Sequence, residues 1–134
     1  MHFFFDNLHL ISANAAKTVS RQGRIIKTNE LRAMQAQITR EANAQVVGQK
    51  LSFNPKLNGL RCSVSIAIPR EKFFTKAGAI SKTSGDADNS LKYLIDSIFV
   101  ALPDLNDAFI TELIVKKMTG KKRSVTVKLE SVAL

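Results

Sequence analysis

A chain of 134 residues can hold one compact domain with a sizeable core and hardly a second. Its 45% hydrophobic and 23% charged residues exclude a disordered tail, and no run approaches the ~18 consecutive apolar residues that cross a bilayer. Twenty Lys and Arg against eleven Asp and Glu give +9 and a pI near 10.0, a balance that points to a polyanionic partner, nucleic acid ahead of a membrane surface. Cys62 is the only cysteine and His2 and His9 the only histidines, so disulfide frameworks, cysteine-rich zinc sites and histidine-based triads are poorly supplied. The opening Met1-His2-Phe3-Phe4-Phe5 lacks a preceding basic segment and is cut short by Asp6-Asn7, unlike a secretory signal, so a soluble, reducing, intracellular setting is expected.

In chain order, Phe3 to Leu10 reads as a first strand with a break near Asp6-Asn7. Arg21-Gln22-Gly23-Arg24 carries a turn signal and is followed by Ile25 and Ile26, which predicts a short basic hairpin. Thr28 and Asn29 offer N-caps to a helix in which Leu31, Met34, Ile38, Ala42 and Val46 recur at helical spacing, ending near Gly48. Leu60, Cys62, Val64, Ile66 and Ile68 alternate with Arg61, Ser63, Ser65 and Ala67, a strand stopped by Pro69, with Cys62 on the packed face. A loop rich in Lys, Ser, Thr and Gly runs from Arg70 to Gly85. Leu91, Leu94, Ile95, Ile98 and Leu102 then mark an amphipathic helix opening around Asp88-Asn89 and stopped by Pro103. Ala108 to Met118 and Ser124 to Val132 read as strands joined by the basic tip Thr119-Gly120-Lys121-Lys122-Arg123. The order β, hairpin, α, β, α, β, β predicts an α/β fold, a small mixed sheet with covering helices, in a single domain over 1–134.

The acids are unevenly placed. Between Asp86 and Glu112 six carboxylates meet one basic residue, Lys92, so this window carries −5 and the rest of the chain +14. A protein that attracts polyanions elsewhere gains from such a cluster if a divalent cation sits in it and reverses the local sign. Asp86 and Asp88, two apart just before a predicted helix, can leave the chain in a similar direction, and a hard ion such as Mg2+ needs only two or three carboxylates beside its waters. For that pair alone, an N-cap and a solvated acid is the competing reading. Lys92 lies one helical turn after Asp88, placed to meet a phosphate, and Asp96 one turn further reads as an ion-pair partner for Lys92. A return of the chain after the helix would bring Asp107, at the start of the next strand, toward the same place. An EF-hand fails, since Leu91 and Ser97 stand where its Gly and Glu belong, and Lys82-Thr83 follows Ser81 where a P-loop needs Gly.

The run Asp86-Ala87-Asp88-Asn89-x-x-Lys92-x-x-x-Asp96, then Asn106-Asp107-Ala108-Phe109-Ile110 and Val115-Lys116-Lys117-Met118, resembles the RusA-type Holliday junction resolvases. The close match covers Asp86 to Met118, with a looser one over the Arg21–Gly48 hairpin and helix. It departs at Ser90, where Leu is usual, at Asn106, where an acid is common, and at Gly85, where a basic residue often stands and Lys82 is a substitute. The resemblance implies a homodimeric, Mg2+-dependent endonuclease, with Mn2+ the second candidate metal, that resolves four-way DNA junctions by paired nicks in recombination and repair. It carries the catalytic, metal-holding carboxylates onto Asp86, Asp88 and Asp107 and the essential lysine onto Lys92. Arg21, Arg24, Lys27, Lys82, Lys121, Lys122 and Arg123 are the candidates for gripping DNA backbone. For dimer contacts the apolar Phe3, Phe4 and Phe5 and the helix bearing Met34 and Ile38 are the surfaces to suspect. The alternative from another class is a non-catalytic DNA-binding or partner-docking protein that retains the fold.

Overall fold

Strict alternation from Leu60 to Ile68 builds the longest strand, and the rest of the sheet assembles around it. The computed structural model describes residues 1–11, 17–82 and 91–134. Among them the chain runs through β1 (His2–Asp6), β2 (Lys17–Val19), β3 (Ile25–Lys27), α1 (Asn29–Val46), β4 (Asn58–Pro69), α2 (Arg70–Phe73), α3 (Leu91–Val100), a 3-10 turn (Asp107–Phe109), β5 (Ile110–Gly120) and β6 (Ser124–Ala133). The longer elements follow the expected order, with the short α2 and the 3-10 turn added.

The main sheet has the order β1-β6-β4-β5, antiparallel except for the parallel pair β4/β5, while β2 and β3 form a separate hairpin. A parallel pair needs a crossover, and α3 lies within it. Cys62, Val64, Val125, Val127 and Leu129 line one sheet face together with Phe3 and Phe5 of β1. Leu31, Met34, Ile38 and Ala42 of α1 and Leu91, Leu94 and Ile98 of α3 close over that face, which makes two layers. Burial pushes the Cys62 thiol up to about 11, so it stays protonated and packs as a small apolar group.

Four expectations need correction. The first strand ends at Asp6, because Asn7 takes a left-handed φ of 53° and turns the chain, its N–H donating to the Arg123 carbonyl at 2.8 Å. The expected loop after Pro69 opens with the single helical turn α2, which Pro69 caps by ending the strand. Asp107 lies in a 3-10 turn and not in the strand, because the Asn106 side chain accepts from the Ala108 N–H at 2.8 Å and bends the chain first. Phe3, Phe5, Met34 and Ile38 are buried in the core of one chain, so of the surfaces suspected for pairing only Phe4, 51% exposed, remains.

Edge strand β1 is sealed by α1. Gln45 accepts from the Phe4 N–H at 2.6 Å and donates to its carbonyl at 2.7 Å, and Gln49 does the same for His2, at 2.7 Å both ways. Two glutamines one helical turn apart thus complete the outer ladder of an otherwise open strand. At the opposite edge, β5 pairs only with β4 among the described residues.

Candidate active site

Helix α3 divides its sides by type. Leu91, Tyr93, Leu94, Ser97 and Ile98 are buried, whereas Lys92 is exposed and Asp96 half-buried, one turn apart on the outer side. Thr39 of α1 donates to the Ser97 carbonyl at 2.9 Å, and Ser97 donates to the Tyr93 carbonyl at 2.6 Å, so the two helices are tied at the level of Asp96. A shallow groove of about 650 Å³ runs between them, lined by Lys27, Gln35, Thr39, Arg40, Asn43 and Asp96 among others.

After α3 the chain doubles back and delivers Asp107 to this same side. The Asp107 carboxyl comes close enough to that of Asp96 for its charge to act on it directly. Burial first, and then the charge of Asp107, hold the Asp96 carboxyl above the ordinary aspartate range, while Lys92 and Lys27 pull it down. The turn carrying Asp107 is anchored from both sides. Asn106 caps it, and the Phe109 ring packs on Phe53 with centroids 5.3 Å apart.

The structure therefore brings together Asp107, Asp96, Lys92 and Lys27. The Lys92 ammonium lies 5.8 Å from the Tyr93 ring centroid, and that of Lys27 donates to Gln35 at 3.3 Å. Asp86 and Asp88 lie outside the described residues, and Lys82 is exposed at the last described position before them. Arg21 and Arg24 are exposed at the turn of the β2–β3 hairpin, where Gly23 takes a φ of 77°. Lys121, Lys122 and Arg123 sit at the β5–β6 tip, with Lys122 paired to Asp6 at 2.9 Å. That tip is separated from Asp107 by the whole of β5, roughly 35 Å at 3.3 Å per residue.

Sequence reasoning missed Asp96 as a partner of Asp107. The signal was its place one turn after Lys92, which reads as an ion pair until the return of Asp107 is known. The groove residues Arg40 and Asn43 and the anchor Phe53 gave no signal that their solvated or packed neighbours lack.

The profile of the RusA endodeoxyribonuclease family matches residues 10–130, nearly the whole chain. The chain belongs to the RusA family. The resemblance carried by residues 86–118 thus extends to the hairpin, both long helices and the β4/β5 pair. None of the curated proteins compared with the chain matches it. RusA is a family of endodeoxyribonucleases, and membership agrees with the mixed sheet and helices described above. No helix among the described residues is long and apolar enough to cross a membrane.

A hard divalent cation suits the donor set. Asp96 and Asp107 are oxygen donors close enough to repel each other, and a cation would offset that repulsion. Among the described residues these two form a pair and not a cluster of three.

Proposed function

We propose that this RusA-family chain, folded as one domain over 1–134, is a structure-selective, divalent-metal-dependent endodeoxyribonuclease that cuts four-way DNA junctions by paired nicks. The observation that carries this is the meeting of Asp107 with Asp96 beside Lys92 and Lys27, a carboxylate pair flanked by cations in a chain of net charge +9. Asp107 would hold Mg2+ with Asp86 and Asp88. Three peptide links separate Asp88 from Leu91, the first residue of α3, a tether of about 11 Å at most. When bound, Mg2+ supplies Lewis acidity that neutralises phosphate charge and acidifies water near neutral pH.

The chain's own residues do the rest. Lys92, exposed on the outer side of α3, stabilises negative charge building on the phosphate in the transition state. Asp96 acts through Asp107, holding its carboxyl in place from the neighbouring turn of α3. Lys27 and the hairpin cations Arg21 and Arg24 grip the backbone next to the site, and the distant Lys121, Lys122 and Arg123 grip an arm. Two symmetric cuts need two identical sites, which a twofold homodimer supplies. The edge of β5, left uncovered by the described residues and bearing exposed Leu113, Ile114 and Met118, is the surface for that pairing now that Phe3, Phe5, Met34 and Ile38 are accounted for by the core.

The test is nicking of a synthetic four-way junction with and without Mg2+, by the parent and by Asp107→Asn. The parent should cut at symmetric positions only with the metal, and the variant should bind the junction without cutting it. Metal-independent binding by the parent with no cleavage under any divalent ion would replace this reading with the non-catalytic one.

A further inference from the structure

The β2–β3 hairpin exposes apolar surface in a way that core packing does not explain. Residues 17–27 carry four cations, Lys17, Arg21, Arg24 and Lys27, and no acid. The register sets Val19 opposite Ile25 and Lys17 opposite Lys27. Because alternate residues share a face, Val19, Ile25 and Lys27 stand on one side of the ribbon. Val19 is 66% and Ile25 72% exposed. An isolated two-stranded hairpin is marginal in water, and leaving two aliphatic side chains in solvent forgoes the burial that would steady it.

The direction of that face is informative. Lys27 reaches Gln35 and lines the groove that holds Asp96, so the side bearing Val19 and Ile25 continues from the carboxylate pair. Ile25 lies two strand residues beyond Lys27, about 7 Å. An apolar pair framed by Arg21, Arg24 and Lys27 is ill suited to a second copy of itself, since that contact would set four cations against four. It suits a base step flanked by phosphates, because apolar side chains wedge between bases while Arg and Lys hold the backbone.

We propose that the Val19–Ile25 face is a wedge that enters the branch point of DNA and parts the base pair beside the strand crossing. The freed strand then passes Lys27 toward Asp107. Parting bases costs least where stacking is already interrupted, so the wedge would favour branched DNA over continuous duplex. The inference rests on the reading of the chain as a branched-DNA nuclease and adds the element that selects the branch.

The experiment uses a four-way junction with 2-aminopurine at the branch pair, a second junction with the probe deep in one arm, and Ca2+ in place of Mg2+ so that binding is read without cutting. The parent should brighten the branch probe and leave the arm probe unchanged. The Val19→Thr/Ile25→Thr variant keeps β-branched residues at two exposed positions and should fold as the parent does. It should leave the branch probe dark and, with Mg2+, cut the junction about tenfold more slowly, as expected when base parting is lost. A variant that still brightens the probe overturns the proposal, and so does one that becomes a monomer by light scattering where the parent is a dimer. A parent that cuts junctions without brightening the probe overturns the wedge and spares the nuclease reading. One that brightens it without cutting under any divalent metal overturns the nuclease reading and spares the wedge, and a parent that does neither overturns both.

Discussion

Gly59→Ala tests the joint that holds Asp107 in place. Gly59 is buried in β4, and an added Cβ would meet the Thr111 side chain at 2.2 Å from Oγ1, 2.5 Å from Cγ2 and 2.9 Å from Cβ. Gly59 is not among the residues with positive φ, so the effect is steric and not a matter of backbone strain. Rotating Thr111 about χ1 moves Oγ1 and Cγ2 but leaves Cβ where it is, so β4 and β5 must part locally. Thr111 is the residue skipped by the register, which passes from Leu60↔Ile110 to Arg61↔Glu112, and such bulges set the direction of a strand. Only Ile110 separates it from the end of the Asp107 turn at Phe109. Overpacking of this kind costs about 1–3 kcal/mol. For a chain of this size that is a loss of roughly 3–12 °C in Tm. Thermal unfolding by circular dichroism should show it, and single-turnover junction cleavage should fall at temperatures where the variant is still folded. Thr111→Gly in the same chain removes all three clashing atoms and should recover most of the loss. A single variant that melts with the parent, or a double variant no more stable than Gly59→Ala, would refute the steric argument.

Asp96→Asn should retain most of the cleavage rate, since an amide can donate to Asp107, whereas Asp96→Ala should lose most of it; equal rates in the two variants would remove Asp96 from the positioning role. Because the folded state raises the Asp96 pKa, it binds that proton more tightly than the unfolded chain does, and the cost of ionising Asp96 is greatest above the raised value and fades as pH falls to the ordinary aspartate range. The Tm gain of Asp96→Asn over the parent should therefore be largest near neutral pH and shrink on acidification, and a gain that stays constant would contradict this. Replacing Lys121, Lys122 and Arg123 together with Ser should shallow the log–log salt dependence of junction binding by about 0.9 for each phosphate that is no longer neutralised. The cutting rate of the bound junction should stay as it was, and a large fall in that rate would show that the tip takes part in the site.

Local periodicity made the elements legible, and their long-range neighbours were not. The alternation from Leu60 to Ile68 and the helical spacing of Leu31, Met34, Ile38 and Ala42 gave β4 and α1 directly. In the run Phe3-Phe4-Phe5 all three side chains are apolar, so alternation could not say that Phe4 alone faces out. The sealing of β1 by Gln45 and Gln49 joins residues 41 and 47 positions apart, a distance at which surface glutamines carry no pattern. At the site, Asp107 and Lys92 were visible as residue types at a spacing. The approach of Asp107 to Asp96 depended on how Asn106 bends the chain, and a lone Asn in a loop offers the same cap in many settings. Wherever one turn of helix or one strand set the geometry, the sequence could be read, whereas of the meetings between elements it anticipated the return of Asp107 toward α3 but not its contact with Asp96.

The topology also explains why the cations fall into two groups. The crossover between the parallel strands β4 and β5 carries α3, and the return from α3 sets Asp107 at the beginning of β5. Every residue of β5 then leads away from the site, until the chain turns at Lys121-Lys122-Arg123. Lys27 and Lys92 lie close enough to the carboxylates for their charge to pull the Asp96 pKa down. The tip cations lie some 35 Å off along β5, close to the ~34–36 Å of one turn of duplex DNA. A charge that far from the carboxylates is beyond several Debye lengths at physiological salt and cannot alter their protonation. It can add affinity for an arm without disturbing the chemistry, which is why the salt slope and the bound-state cutting rate should separate in the tip variant.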